Sequence, residues 1–154
     1  MLHIYGTGTK IKNITGVHEE SLGLNVFPLH FPDVKYWLWL DNINFGHCIY
    51  EKTDSTLKPY FPFTPGRDIK GSCSSATYAI SWAIKEGYKK VNLYGILDED
   101  EYNIIEVKGV KYVEWRHFYD DTVLTYRLSA FETFNRIVGE QKQLIDITFP
   151  LKKG

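Results

Sequence analysis

Cysteine is almost missing from the 154 residues: Cys48 and Cys73 are the only two. A fold stapled by several disulfides is thereby excluded. With no basic, apolar, small-residue leader at its start, the chain is expected in a reducing, cytoplasmic compartment. Long apolar runs are lacking too. Stretches such as Tyr36 to Leu40 fall far short of the roughly 20 residues that cross a bilayer, so no membrane role is expected. Nor is there an excess of either charge, with 18 Lys+Arg against 19 Asp+Glu. Without a basic stripe interleaved with aromatic residues, nucleic acid is not an expected partner. His3, His18, His30, His47, His117 and the two cysteines form no C-x-x-C or H-x-x-x-H pair, so neither a metal centre nor a cofactor is expected.

Aromatic residues, by contrast, are plentiful. Four Trp, eleven Tyr and nine Phe make 16% of the chain, more rings than a small core readily hides. Some are expected to line a pocket or the contact of a homo-oligomer. The remaining composition, 44% hydrophobic and 24% charged, is that of a soluble globular protein, and the length suits one domain over residues 1–154.

Strand-length apolar runs occur at Leu2 to Tyr5, at Leu24 to Leu29 before the stop expected at Pro28, at Tyr36 to Leu40, and at His47 to Glu51. Residues 52–72, with Pro59, Pro62, Pro65, Gly66 and Gly71, read as an irregular functional loop. Ala76, Ala79, Ile80, Ala83 and Ile84 then mark one face of a helix. Ser72, Ser74 or Ser75 can cap its start, and Gly87 ends it. A buried strand, Val91 to Gly95, follows. Ile104 to Val107 and Lys111 to Trp115 read as a hairpin about Lys108-Gly109. Leu124, Leu128, Phe131, Asn135 and Val138 predict a second helix stopped by Gly139, and Leu144 to Phe149 a closing strand. This order predicts an α/β fold: a compact Rossmann-like, largely parallel sheet flanked by helices, with a β-hairpin insertion.

Chemistry has four candidate seats. Gly6-Thr7-Gly8 follows the first strand, where glycines let a phosphate approach main-chain N–H groups; a plain tight turn is the other reading, because Ile11 stands where the dinucleotide fingerprint needs its third Gly. Arg67 to Ser75 brings Lys70, Ser72, Ser74 and Ser75 to a helix start, an anion site or simply a capped loop. Asp98-Glu99-Asp100-Glu101 has the D-x-D spacing of some metal-dependent transferases, although acidic runs are more often solvated faces. Arg116-His117 could supply a phosphate partner and a general base; a packed histidine among aromatics is the plainer reading.

Three segments together resemble the bacterial sialyltransferase-like and related Rossmann-like proteins, bacteriophage members included. Ile4 to Thr9 is similar to that family's strand and G-N-G-P-S loop, and Asp41 to Phe45 to its N-x-F segment. Ser74 to Ile80, continued through Gly87 to Ile96, resembles its serine-capped helix, G-Y-K turn and L-x-G-I-D strand end. The resemblance implies that Gly6, Thr7, Gly8, Asn42, Asn44, Ser74 and Ser75 surround a nucleotide, that Tyr102 or Tyr112 contacts its phosphate, and that His117 is the base. Tyr94 and Arg116 are added as ligand contacts from their places at strand ends. Thr7 replaces the loop Asn, Thr9-Lys10 the Pro-Ser, and Leu97 the Asp of G-I-D, and at 154 residues no acceptor-binding extension is expected. The expectation is therefore a protein that binds a nucleotide or nucleotide-derived phosphate without turnover, such as a phage product sequestering a nucleotide signal or metabolite. The alternative is a minimal glycosyltransferase or nucleotide-sugar hydrolase with His117 as base.

Overall fold

In the computed structural model, residues 1–38 and 74–151 are described. Asn42, Asn44, Lys70 and Ser72, like the strand expected at 47–51 and the proline-rich loop at 52–72, lie outside the described residues.

Five strands form a parallel sheet: β1 (Leu2–Tyr5), β2 (Ser21–Leu24), β3 (Tyr36–Leu38), β4 (Lys90–Tyr94) and β8 (Asp146–Thr148), in the order β3-β2-β1-β4-β8. Alternation along each strand feeds two cores. Leu2, Ile4, Leu22, Leu24, Leu38, Val91 and Leu93 face α2 (Ser75–Lys85) and α3 (Leu128–Gln141). Tyr5, Trp37 and Tyr94 face the other way, onto Ile11 of a 3-10 helix (Thr9–Asn13) and Phe27 of the one-turn helix α1 (Phe27–His30). Burial on both faces explains why these strands read as continuous apolar runs. The chain has a Rossmann-like α/β fold.

The second sheet is antiparallel: β5 (Tyr102–Val107), β6 (Val110–Arg116) and β7 (Val123–Arg127). Its first turn holds Lys108 at φ +52° and Gly109 at φ +79°, the left-handed pair that a two-residue hairpin needs. No helix among the described residues is long and apolar enough to cross a membrane.

Three expectations are corrected. Residues 25–29 are not strand, because Pro28 sits in the first turn of α1, where its missing N–H costs nothing. Leu124 belongs to β7, paired with Trp115, and the helix begins only at Leu128. Gly139 does not stop that helix. It runs to Gln141, whose amide donates to the Thr77 carbonyl and the Ser81 hydroxyl, both at 2.9 Å, and so ties the last turn of α3 to α2.

On the second face of the sheet His3 is buried, stacked on His18 with centroids 3.7 Å apart, and bonded through Nδ1 to the Tyr94 hydroxyl at 2.8 Å. Burial first, then the neighbouring His18 and the amino terminus, lower its imidazole to about 4. The unfolded chain therefore takes up this proton first as the pH falls. Stability due to the neutral ring is complete above the ordinary value of 6.5 and is lost progressively down to about 4. We expect urea unfolding at pH 7, 5.5 and 4 to report a loss on the order of 3 kcal/mol. His3→Asn, which keeps an acceptor but cannot titrate, should flatten that dependence; an unchanged slope would place the loss elsewhere.

Candidate functional site

The carboxyl ends of β1 and β4 lie side by side at the point where the strand order reverses, which is where doubly wound sheets open a crevice. Their loops are laced together. The Gly6 N–H donates to the Tyr94 carbonyl at 2.7 Å and the Gly8 N–H to the Gly95 carbonyl at 2.8 Å. Gly95 adopts φ +64°. The two chains approach so closely that a Cβ on Gly6 would lie 2.6 Å from the Gly95 oxygen, so the glycine at position 6 is required by backbone packing.

Above this seam is a cleft of about 530 Å3. It is lined by Gly6, Thr7 and residues 95–97 from the strand ends, by residues 24–26 and 74–76, and by Trp115, His117, Tyr119, Leu124, Tyr126 and Phe134. A small annex of about 50 Å3 shares Ser74, Leu97, Tyr126 and Phe134 with it and adds Ala130 and Phe131. The described lining carries no Lys, Arg, Asp or Glu. Its polar groups are hydroxyls, a carboxamide, an imidazole and main-chain amides.

Two features organise its polar groups. Ser74 caps α2, its Oγ accepting from the Thr77 N–H at 3.2 Å, so the positive end of an eleven-residue helix opens on the cleft. Beside it the Ser75 hydroxyl donates to Asn25 Oδ1 at 3.4 Å. Asn25 has φ +54°, a conformation uncommon outside glycine, and is held there by its N–H to the Leu38 carbonyl (3.0 Å) and by the Trp37 indole donating to its own carbonyl (2.8 Å).

His117 joins the second sheet to the glycine loop. It bridges Gly8 in antiparallel fashion, its Nδ1 lies 3.1 Å from Thr7 Oγ1, and the next residue, Phe118, donates its N–H to the Thr7 carbonyl at 2.9 Å. Trp115 meets the imidazole edge-on at 4.9 Å, and Tyr119 stacks on it at 4.8 Å. Burial pushes the imidazole below its usual range, with Asp120 and the Thr7 contact pulling the other way, so the ring is neutral at pH 7.

Of the residues singled out in the sequence, Gly6, Thr7, Ser74, Ser75 and His117 line this cleft. Gly8 stands behind it, packed on the Glu101 carboxylate. Tyr94 does not reach the cleft: by strand alternation it faces the second core and bonds His3. Tyr102 packs its ring on Phe131, centroids 4.6 Å apart. Tyr112 and Arg116 alternate onto the face of β6 opposite Trp115, and Arg116 donates to the Asp121 carbonyl at 3.2 Å.

The acidic run is only in part a solvated face: Glu99 and Asp100 are exposed, whereas Glu101 is buried. Asp98 Oδ2 and Asp100 Oδ1 both grip the Lys10 ammonium, at 2.7 and 2.5 Å, and the Leu151 carbonyl adds a third acceptor at 2.9 Å. Burial disfavours the charged ammonium, but the Asp100 and Asp98 carboxylates outweigh it and hold Lys10 above its usual range. The buried Glu101 accepts from the Lys10 and Asp98 N–H groups at 3.2 and 3.3 Å, and burial raises its carboxyl. D-x-D spacing therefore serves here to fasten the glycine loop to the turn between β4 and β5.

Asn25, Tyr119 and Tyr126 were missed in the sequence. Asn25 had one usable signal, since asparagine tolerates a left-handed conformation and sits just before Phe27-Pro28. Tyr126 lies in a segment whose Leu124–Leu128 spacing also fits a helix, which conceals its place on β7. Comparison of the chain with protein-family models, curated proteins and solved structures finds no significant match.

Proposed function

We propose that the cleft binds a nucleotide or nucleotide-derived phosphate and holds it without turnover. The observation that carries this reading is the joint opening of a glycine-floored strand seam and a serine-capped helix start onto one cleft with an aromatic wall. The Gly6 and Gly8 N–H groups are spent on the seam, so the first-turn N–H groups of α2 and the serine hydroxyls are what suit a phosphate, and the aromatic rings of the lining suit a base. Holding rather than converting is favoured because His117 and the weakly acidic tyrosines are the only titratable side chains in the described lining, with no carboxylate to share proton transfer.

A second reading has its own support. A neutral His117 oriented through Nδ1 by Thr7 is the arrangement of a general base, which a minimal glycosyltransferase or nucleotide-sugar hydrolase would use. Incubation with CMP-, UDP- and ADP-linked compounds, followed by heat release and analysis, separates the two. We expect a raised melting midpoint, by about 2.7 kcal/mol of linkage at a hundredfold excess over Kd, with recovery of intact ligand. Accumulating free sugar or nucleoside monophosphate favours the second reading; no thermal shift with any compound defeats both.

A further inference from the structure

Each of the two sheets has two edges, and one of the four is unlike the others. β3 and β8 are three residues long, and Tyr36 and Trp37 on β3, like Tyr126 on β7, have further partners. β5 is six residues long and pairs with β6 without a bulge, from Tyr102 opposite Trp115 to Val107 opposite Val110. Val107 and Val110 flank the two-residue turn and are therefore a hydrogen-bonded pair. By alternation, the N–H and C=O groups of Asn103, Ile105 and Val107 turn toward β6, and those of Tyr102, Ile104 and Glu106 turn outward. The outward groups have no other main-chain partner among the described residues. Edge strands are ordinarily guarded by proline, lysine, a bulge or a cover. β5 has neither proline nor lysine, Ile104 is 57% exposed, and Glu106, its one charge, stands opposite Lys111 of β6.

We infer that two copies of this chain pair through β5, antiparallel about a two-fold axis at Ile104. That register engages every outward group: Ile104 exchanges both hydrogen bonds with its own counterpart, and Tyr102 exchanges both with Glu106 of the other copy. It also sets no like charges opposite each other, since each Glu106 faces a tyrosine, and it brings the two exposed isoleucines together. The pairing joins the three-stranded sheets into one of six strands. Trp115 and Leu124 of the cleft lie on the same side of the sheet as Ile104, and a two-fold axis normal to a sheet keeps its faces, so both clefts open on one side. Each β5 is used once, and assembly closes at the dimer. A contact confined to two six-residue edges is small beside the roughly 1,200–2,000 Å2 of a stable interface, so the pairing is weak and concentration-dependent. It stands apart from the nucleotide reading.

Sedimentation equilibrium of the full chain from about 1 µM to about 1 mM should show a monomer–dimer equilibrium and nothing larger. Ile104→Lys sets two ammonium groups opposite each other at the axis and should raise the dissociation constant by about a hundredfold or more. Glu106→Pro removes one outward N–H per copy without touching the ladder to β6, and should raise it by about tenfold. Val123→Lys, at another exposed apolar position, on β7, should leave it unchanged. Amide hydrogen exchange reads the register itself: Tyr102, Ile104 and Glu106 should gain protection as concentration rises, whereas Asn103, Ile105 and Val107 are protected throughout. Should either β5 variant fail to fold, the exchange pattern of the wild type still decides. A wild type monomeric at about 1 mM, a dimer that Ile104→Lys and Glu106→Pro leave intact, or concentration-dependent protection that spares β5 overturns the inference.

Discussion

Replacing Lys10 with methionine is expected to lower folding stability by about 3 kcal/mol, a large fraction of the total for a domain of this size. The lysine side chain is 8% exposed, and its ammonium satisfies Asp98, Asp100 and the Leu151 carbonyl at once. Methionine preserves the length and much of the packing of the stem, so the loss reports the charge. What remains is a pair of carboxylates about a quarter exposed, brought together by the fold with no cation between them. Removing one partner of a buried pair costs more than the pair itself contributes, because the surviving charges must be desolvated alone. Equilibrium denaturation should show a lower midpoint at unchanged m-value, and thermal melting a drop of roughly 6–12 °C. Adding Asp98→Asn to the methionine variant removes one of the opposed charges and should recover part of the loss. A methionine variant within about 0.5 kcal/mol of wild type would mean the cluster behaves as an ordinary surface ion pair.

That cluster also shows what a sequence read in isolation can and cannot carry. Local signals were legible where one element decides its own fate. The alanine and isoleucine spacing of residues 76–84 marks α2, three serines at 72, 74 and 75 offer a cap that Ser74 provides, and Lys108-Gly109 marks the hairpin turn. The strand-end position of Gly6 and Thr7 placed them on the cleft, because a parallel α/β sheet leaves its ligand crevice at that end of the strands. The pairing of Lys10 with Asp98 spans 88 residues, and no local pattern in the sequence announces it.

The errors have one physical origin, the dependence of local segments on distant partners. Val123 to Tyr126 has strand character, but the four-residue step from Leu124 to Leu128 also fits a helix; pairing with β6 settles the matter. The sequence points to Tyr112 and Arg116 as ligand contacts, yet they share the opposite side of β6 from Val113 and Trp115. Both sides of that strand carry aromatic residues, so alternation alone could not say which side is inward. Val113, fully buried in the main core, is the residue that decides it. The same rule removes Tyr94 from the cleft and gives it to His3 on the far side of the sheet. Among the described residues, the rings are thus divided mainly between two cores and the lining of the cleft.

Gly6→Ala is expected to be as damaging as the loss of Lys10, through geometry and not charge. A methyl group there would stand 2.6 Å from the Gly95 carbonyl oxygen and 2.7 Å from the Ile96 side chain. Ile96 can rotate, but the carbonyl cannot withdraw without carrying Gly95 with it, and Gly95 is fixed by its left-handed φ and by accepting the Gly8 N–H. Relief therefore requires β1 and β4 to part at their carboxyl ends, which breaks the seam that floors the cleft. We expect about 2–3 kcal/mol of destabilisation, at the upper end of overpacking costs, together with loss of any thermal shift that the proposed nucleotide ligand produces in the wild type. Gly139→Ala is the control. That glycine lies inside α3 with nothing within 4 Å of a built Cβ, so alanine should stabilise the chain by about 0.5–1 kcal/mol and leave binding untouched. Opposite signs for the same glycine-to-alanine change would separate conformational preference from close backbone approach. A Gly6→Ala protein that melts and binds like wild type would show that the two strand ends can move apart freely, and the seam could then no longer be taken as the rigid floor of the site.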